Sequence, residues 1–406
     1  MCLTSTRGSS VRLLVVVLAA TVLVSPFGLV APRADGDPKT RTVHVKDDAQ
    51  LRAAFADLRA GDTVLLAKGN YRGGHLLADA AGSPKAPIVI AAADPKQRPV
   101  FNTGTEALHL TRPRNLTLRN LVVRGRPGNG INIDEGGVGK GVAAHVTIDG
   151  LLFEKIGPTG NHDALKLSGL TDFIVKDCTF VGWGGSAIDM VGCRRGLIQG
   201  CTLRGTDDCS QHSGIQAKGG TAKIVIRACR FEAAGARAVN LGGSTGLPYF
   251  RPPDAPYEAQ DLTVEGCRFR DSETFVAFVG VDGASVRRNT FYRPRRWVLR
   301  ILQESTAKRF VPCRNGRFEH NLVVFRKSEL HRFVNVGANT QPKTFTFTGN
   351  AWFATDAKTP SDHRPSLPTA ETEGRYGLDP KLDVNTLALA PDSSCRKHGA
   401  DSRPNK

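Results

Sequence analysis

Polar or charged side chains, with one alanine among them, recur at the centre of a short segment that alternates apolar and other residues. The segments read GINID, ALKLS, AIDMV, GIQAK, AVNLG, FVAFV, VLRIL and FVNVG, and their central residues are Asn132, Lys166, Asp189, Gln216, Asn240, Ala277, Arg300 and Asn335. A lysine acts as a base where burial or neighbouring cations lower its pKa, and a cation stabilises negative charge that develops on a substrate. These residue types suit removal of the proton next to a carboxylate, the first step of β-elimination.

Two lysines are candidates for the base. Lys218 ends the segment GIQAK and Lys166 is the centre of ALKLS, while Arg237 and Arg300 would offset the negative charge of the substrate. The catalytic set predicted from the residues is therefore Lys218, Lys166, Asp189 and Arg237. An ordinary ion pair between Lys166 and Asp189, and a solvated turn position for Lys218, are the alternatives that stay open.

Other side chains are candidates for binding the substrate. Two histidines precede segments two repeats apart, and the stretch GGSTGLPYFRPPDAPYEAQ contains aromatic residues that can stack on sugar rings or pin this stretch to the fold. Long loops on rigid scaffolds often carry function. The predicted substrate-binding residues are Asn132, His162, His212, Gln216, Asn240, Tyr249 and Arg300.

Hydrolysis of a glycosidic bond is a competing chemistry, because it needs two carboxylates at a defined separation. Asp163 and Asp189 are the best pair, and Asp207 and Asp208 are available from a loop. The column of central residues contains a single carboxylate, which favours elimination over hydrolysis. Asp163, Asp189 and Asp208 would also suit a metal ion, but no spacing enforces such a site, and no metal ligand is predicted.

A repeat positions these residues. The pattern apolar–x–apolar–x–x–(Cys, Asn or Leu)–x–(Phe, Leu, Val or Trp) occurs nine times between Leu116 and Trp352, at intervals of 22 to 38 residues. Such a period, carried by short strands, is typical of a solenoid. The alternation with period two predicts an all-β, single-stranded right-handed parallel β-helix of about nine or ten coils. Successive central residues would then lie on one outer face, about 4.8 Å apart.

The two ends of the chain differ from the repeats. Residues 1–34 are predicted to be a signal peptide or N-terminal anchor, because basic residues precede the apolar stretch Leu13–Val24. The β-helix domain is predicted over 35–353 and includes an amphipathic helix over 47–62 that covers its open end. Residues 354–406 are predicted to be an irregular tail that packs on or caps the solenoid, with Leu387–Pro391 as a further edge strand.

The N-terminal helix has recognisable end signals. Asp47 or Asp48 is expected to cap its start, and Gly61 to end it. Leu51, Ala54, Phe55 and Leu58 fall on one face of it, which we expect to pack on the first coil.

The charge of the chain restricts its partners. The formal net charge is +17, and thirteen Arg or Lys residues stand against three Glu between Arg287 and Arg332. A basic face attracts polyanions. We expect a secreted, periplasmic or cell-surface monomer that binds an acidic polysaccharide, with no membrane span after signal removal. Nucleic acid is disfavoured because no nucleic-acid motif is present, and a solvated basic surface is the alternative.

Four of the nine cysteines occupy the sixth position of consecutive repeats, namely Cys178, Cys201, Cys229 and Cys267. This placement favours a ladder of buried thiols that act as small apolar groups. Disulfides between neighbouring coils stay open as an alternative, because export permits them.

The N-terminal part resembles a known family. Val43–Gly73 (VHVKDDAQLRAAFADLRAGDTVLLAKGNYRG) and Ser83–Ala92 (SPKAPIVIAA) are similar to the opening of the chondroitinase B and alginate lyase family, within the pectate lyase-like superfamily of right-handed parallel β-helices. The resemblance implies a lysine base in a strand of the form Ile-x-x-Lys, which Ile215–Lys218 matches. It also implies a catalytic arginine near Gly242, where Arg237 is the nearest.

The resemblance further implies calcium carboxylates five and seven residues before the lysine. Those positions hold Ser213 and Gln211 in this chain, so the spacing does not support a calcium cofactor. Taken together, the sequence favours an exported lyase that cleaves a uronate-containing polysaccharide by β-elimination. A glycoside hydrolase on the same scaffold and a non-catalytic protein that binds carbohydrate or the envelope are the alternatives.

Overall fold

The chain coils through three long parallel sheets. The structure is a computed structural model that describes residues 40–137, 142–330 and 332–402, so the predicted signal or anchor over 1–34 lies outside the described residues. Each full coil contributes one strand to each sheet in turn, and every strand pairs in parallel with the equivalent strand of the next coil. The predicted all-β, parallel β-helix is confirmed.

We name the sheets A, B and C in the order in which the chain enters them. Sheet A has 13 strands in the described residues: Thr42–Val45, Thr63–Leu66, Ile88–Ala92, Arg114–Arg119, Ala143–Asp149, Leu170–Lys176, Arg194–Gln199, Thr221–Arg227, Ala259–Glu265, Val281–Arg287, Arg314–Glu319, Thr346–Thr348 and Glu371–Thr372. Sheet B has 12: Asn70–Arg72, Val100–Thr103, Val122–Arg126, Leu152–Ile156, Thr179–Trp183, Thr202–Arg204, Arg230–Glu232, Arg268–Arg270, Thr290–Tyr292, Leu322–Phe325, Ala351–Ala354 and Arg375–Tyr376.

Sheet C has 10 strands in the same part of the chain: His75–Ala78, Leu108–Thr111, Ile131–Asp134, Leu165–Ser168, Ser186–Val191, Ser213–Lys218, Arg237–Gly242, Thr274–Val279, Trp297–Leu302 and Val334–Val336. Short 3-10 helices cover Leu247–Tyr249, Pro342–Thr344 and Pro360–His363. The numbers of strands in sheets A and B are therefore larger than the nine or ten coils predicted. The terminal coils lack the repeat pattern, so they could not be counted from the sequence.

The repeat pattern marks the corner between sheets A and B. In one repeat, Phe173 and Val175 lie in a strand of sheet A, Cys178 occupies the corner, and Phe180 lies in the following strand of sheet B; all four are buried. The residue before the corner, here Asp177, has a positive φ of 54°. Asp, Asn and Gly adopt this backbone conformation at low cost, which explains why they punctuate the repeats.

The sixth position of the repeat forms two kinds of internal ladder. Cys178, Cys201, Cys229 and Cys267 are buried free thiols, so the structure contains the thiol ladder and no disulfide among these four. In the later coils the same position holds a ladder of buried asparagines, Asn289, Asn321 and Asn350.

The N-terminal helix covers the first coil as predicted but is shorter. It spans Asp48–Ala56, and Asp47 caps it by accepting a 2.9 Å hydrogen bond from the backbone N–H of Gln50. Leu51 and Ala54 are buried against the core. The expected end at Gly61 is wrong, because the backbone already leaves the helical conformation at Asp57, where φ is −116° and ψ is 28°.

The C-terminal residues continue the solenoid and then pack on sheet B. After the short strands that end at Tyr376, the segment predicted as an edge strand makes a single antiparallel bridge, Leu382 to Leu389. Cys395 is buried in a small cluster with Leu322 and Val324. No helix in the described ranges is long and apolar enough to span a membrane.

Candidate functional site

The outer face of sheet C carries the column of polar residues that the alternation predicted. Asn132 pairs with Lys166, Lys166 with Asp189, Asp189 with Gln216, and Gln216 with Asn240. The register then continues through Ala277, Arg300 and Asn335. The apolar neighbours on the same strands are buried in the core. The predicted alignment of the column is therefore confirmed.

A buried charge cluster lies at the centre of the column. Lys166 Nζ donates to Asp163 Oδ2 at 2.8 Å and to Asp189 Oδ2 at 2.9 Å. Both carboxylates are only 1% exposed, although Asp189 belongs to the outer column. Asp163 Oδ1 also accepts from the backbone N–H of Ser186 at 2.8 Å, which fixes that carboxylate. The ion pair between Lys166 and Asp189 is therefore present.

Lys218 contacts the same cluster from the coil that follows the coil of Asp189. Its Nζ lies 3.3 Å from Asp189 Oδ1 and 3.3 Å from Gln216 Oε1, and its side chain is 16% exposed. Asp189 Oδ1 accepts no hydrogen bond of good geometry, so the contact with Lys218 is looser than the contacts of Lys166. Lys218 is thus part of the cluster rather than a solvated turn residue.

The electrostatics separate the members of the cluster. Burial on its own would lower the pKa of Lys166, but the charges of Asp189 and Asp163 outweigh it and hold the pKa above its usual value. Burial, helped by the charge of Asp189, raises the pKa of Asp163. Lys166 therefore keeps its proton at neutral pH.

A positive region follows along the column. Arg237 Nη1 donates to Asn240 Oδ1 at 3.3 Å and its Nη2 to Glu304 Oε1 at 2.6 Å, while Arg300 Nε donates to Asn335 Oδ1 at 3.1 Å. Burial and the charge of Arg237 lower the pKa of Arg300. The positive charge of Arg237 thus disfavours the charged form of Arg300, and an anion bound beside Arg300 would favour it.

A long loop forms one wall beside the column. It begins at Gly243, where an added Cβ would lie 2.7 Å from Gln216 Nε2 and 3.3 Å from Lys218 Cδ. The loop is anchored by Glu258, a fully buried carboxylate that accepts from the backbone N–H groups of Gly219 and Thr245, each at 2.9 Å. The start of the loop therefore packs directly on the candidate catalytic lysine.

The aromatic residues of this loop have different environments. Tyr249 is 64% exposed and is free to contact a ligand. Phe250 is fully buried, with its ring 5.2 Å from that of Phe310. Phe250 consequently anchors the loop and is not available for stacking on a sugar.

The turns from sheet B to sheet C form the opposite wall. His162 and His212 are exposed there, and backbone hydrogen bonds from Gly185 to His162 and from Ser213 to Gly185 place them two coils apart on the same edge. Asp208 does not join the site, because its carboxylate pairs with Lys155 at 2.7 Å. The suggested metal trio with Asp163 and Asp189 is therefore not assembled.

The positions that correspond to the family's calcium carboxylates do not fit a cation. Ser213 and Gln211 are buried, and the Gln211 amide donates to the Thr206 carbonyl at 2.5 Å. Neither residue offers the anionic oxygen that calcium requires. Within the described ranges, no group of three or more His, Cys, Asp or Glu residues is placed to hold a metal ion.

One cluster at the start of the column escaped the sequence analysis. His109 pairs with Asn132 in register; its Nε2 lies 2.6 Å from Asp134 Oδ2 and its Nδ1 3.1 Å from Glu106 Oε1. Burial alone would lower the pKa of His109, but these two carboxylates raise it above its usual value. The strand Leu108–Thr111 alternates like the later segments, so extending the column by one coil would have found His109.

Comparisons with known proteins agree with this architecture. The family model described as "Right handed beta helix region" matches residues 106–249. A search of curated protein sequences gives no significant match. Among solved structures, an alginate lyase from Paenibacillus sp. str. FPU-7 is similar with a TM-score of 0.52 and 18% identity, covering 74% of this chain and 99% of that one.

Two further structures are similar at the same level. The pectate lyase Pel9A has a TM-score of 0.51 and 16% identity, covering 91% of this chain and 98% of its own. The GH136 lacto-N-biosidase from Eubacterium ramulus has a TM-score of 0.53 and 12% identity, covering 83% of this chain and 67% of its own. Identities this low establish the right-handed parallel β-helix fold and leave the activity to be argued from the site.

Proposed function

We propose that this right-handed parallel β-helix is an exported lyase that cleaves a uronate-containing polysaccharide by β-elimination in the groove over sheet C. The observation that carries the proposal is the alignment of Lys166, Asp189 and Gln216 on consecutive coils, with Lys218 beside them. Two of the similar solved structures, an alginate lyase and a pectate lyase, are consistent with this chemistry.

We assign Lys218 as the base. A lysine must be neutral to remove a proton, and Lys166 is held in its charged form by two carboxylates at 2.8 and 2.9 Å. Lys218 has one looser carboxylate contact, at 3.3 Å. It also lies beside the loop wall, where a bound polymer would be shielded from water.

The cations along the column would stabilise the intermediate. Removal of the proton on C5 of a uronate leaves an enolate on its carboxylate, and a fixed positive charge beside that group lowers the barrier. We assign Arg237 to this role, with Arg300 binding the carboxylate of a neighbouring sugar. Lys166 instead offsets the charges of the buried Asp163 and Asp189.

The reaction balances without a cofactor. Lys218 Nζ takes the C5 proton, the electron pair of the C–H bond forms the C4=C5 double bond, and the C4–O bond breaks with its electrons on oxygen. That oxygen takes up a proton from solvent and leaves as the new hydroxyl of the preceding sugar. The product therefore carries an unsaturated, ultraviolet-absorbing end.

A substrate panel tests the proposal. Purified protein is incubated with alginate, pectate and glycosaminoglycans, and both ultraviolet absorbance and reducing ends are measured. We expect absorbance to rise on one of these polymers, and Lys218→Ala to slow it by about 100-fold or more, the usual contribution of a general base. Lys223→Ala, an exposed lysine of sheet A, should leave the rate unchanged. A Lys218→Ala variant with full activity would refute the assignment.

Hydrolysis is the second candidate, and one observation favours it. Asp163 is a buried carboxyl group whose pKa is raised, as a general acid of a glycosidase requires. Reducing ends that appear without new absorbance, and that disappear in Asp163→Asn, would identify a hydrolase. Retention on a polymer without cleavage would identify a binding protein.

A further inference from the structure

A second polar concavity lies on sheet A, away from the sheet C column. It has a volume of about 500 Å³, within the range of ligand-binding pockets. Its floor follows one outward column, in which Thr263, Ser285, Arg317 and Thr346 are paired in register on consecutive coils. In the three preceding coils the same column holds the bulky apolar residues Ile174, Leu197 and Val225, so the column changes from apolar to polar at Thr263.

The floor of this concavity contains an unsatisfied hydroxyl group. Ser285 is 5% exposed, and its Oγ is buried without a hydrogen-bond partner among the described residues. Buried polar groups are nearly always hydrogen-bonded, and leaving one without a partner destabilises the folded protein. A ligand hydroxyl seated in the concavity would provide the missing partner.

The lining of the concavity carries charges of both signs. Asp261 and Arg317 are exposed, and neither has an ion-pair partner in the part of the chain that the structure describes. Asp282 is fixed in place instead, because it accepts from Arg314 at 2.8 Å and from Asn315 at 2.7 Å. Arg317 therefore offers a fork of donors for a carboxylate, and Asp261 offers acceptors for hydroxyl groups.

We infer that this concavity is a separate binding site for a sugar acid, with the carboxylate on Arg317 and hydroxyl groups on Asp261 and Ser285. The carboxylates of Asp261 and Asp282 would repel an anion that has no hydroxyl donors, such as sulfate. A neutral sugar would leave the charge of Arg317 without a partner. The inference does not depend on the lyase proposal, because it uses no residue of sheet C.

Calorimetric titration of the Lys218→Ala variant, which prevents turnover if the lyase proposal holds, tests the inference. The probes are galacturonate and alginate trisaccharides, with xylotriose as the neutral comparison. We expect one binding event to weaken by about tenfold or more in Arg317→Gln, since a charge-assisted hydrogen bond contributes about 1.5–3 kcal/mol. Ser285→Val, which removes the hydroxyl at similar volume, should weaken the same event.

The matched control is Lys223→Gln, which removes one positive charge from sheet A outside the concavity and should leave binding unchanged. Equal binding of the acidic trisaccharides by the Arg317→Gln variant and its parent, or equal binding of xylotriose, would overturn the inference. Loss of catalysis in Lys218→Ala together with unchanged binding in Arg317→Gln would refute the second site alone. Full catalysis in Lys218→Ala together with weakened binding in Arg317→Gln would refute the lyase proposal alone.

Discussion

Three buried asparagines, at the corner where thiols stand in earlier coils, hold neighbouring coils together. Asn321 Oδ1 accepts from the backbone N–H of Asn289 at 2.9 Å, and its Nδ2 donates to the Val286 carbonyl at 2.9 Å. Each amide thus satisfies backbone groups that the corner leaves without partners in the sheets. The change from Cys to Asn at this position was visible in the sequence. The hydrogen bonds that explain the asparagines could not be predicted, because they depend on which residues of adjacent coils lie side by side.

We expect Asn321→Ala to lower the free energy of unfolding by about 2 kcal/mol or more, because it leaves a buried N–H and a buried carbonyl without partners. Urea unfolding measures this change. Asn102→Ala is the control, since Asn102 is exposed and bonds only to the Asn70 side chain at 3.0 Å, and we expect a change below about 0.5 kcal/mol there. Similar losses in both variants would contradict a structural role for the ladder.

His109 makes the stability of the first coils depend on pH. Its pKa is raised in the folded state by Asp134 and Glu106, so its contribution is complete below the unfolded pKa of about 6.5 and is lost as pH rises through the higher folded value. The side chain is 35% exposed, so solvent weakens the effect.

Melting temperatures of the wild type and of His109→Gln across this pH range check the prediction. The wild type should be the more stable protein at acidic pH, and the difference should shrink as the solution becomes alkaline. A difference that grows with pH would show that the two carboxylates do not stabilise the imidazolium. His145→Gln, a histidine on sheet A with no hydrogen bond to a carboxylate in the described residues, is the control.

The loop between sheets C and A is the element that shapes the groove. Its composition predicted a loop near the site, yet which aromatic residues are exposed depends on Phe310, which lies outside the loop and packs on Phe250. The same limit applies to the N-terminal helix. Its cap at Asp47 was readable locally, whereas the local stop signal, Gly61, lies beyond the observed end at Ala56. Local sequence signals thus predicted where an element starts, but they did not predict features that depend on residues far away in the sequence.

Removing the anchor of this loop should loosen the groove without unfolding the coils. Glu258→Ala deprives Gly219, Thr245 and Ser305 of their shared acceptor, and we expect faster cleavage by protease within residues 243–258 and weaker activity on the polymer. Limited proteolysis with mass spectrometry locates the cut. Glu273→Ala, which breaks only an exposed pair with Arg296, should be cleaved at the wild-type rate. Unchanged cleavage in Glu258→Ala would mean that other contacts hold the loop.

At the scale of the whole molecule, the residues that stabilise the solenoid differ from those that could bind or react with a ligand. Each coil contacts mainly its neighbours, so the core is continuous while each outer face can carry its own residues. Period-two alternation was enough to predict the sheet C column, because a single register places every central residue on one face. The burial of Asp163 and Asp189 was not predictable in the same way, since it depends on how Lys166 spans two coils.

Removal of the C-terminal tail is expected to affect stability and not activity. It lies on sheet B, where Arg230 donates to the Thr386 carbonyl at 3.1 Å and Arg270 to the Val384 carbonyl at 3.1 Å, and Cys395 covers Leu322. We expect truncation after Gly377 to lower the melting temperature, because it exposes this apolar cluster and frees the arginines. Activity per folded molecule at low temperature should remain, since no tail residue contacts the sheet C column in the described structure. A truncated protein that melts like the wild type, or that folds fully but has lost activity, would show that the tail acts on the groove rather than on stability.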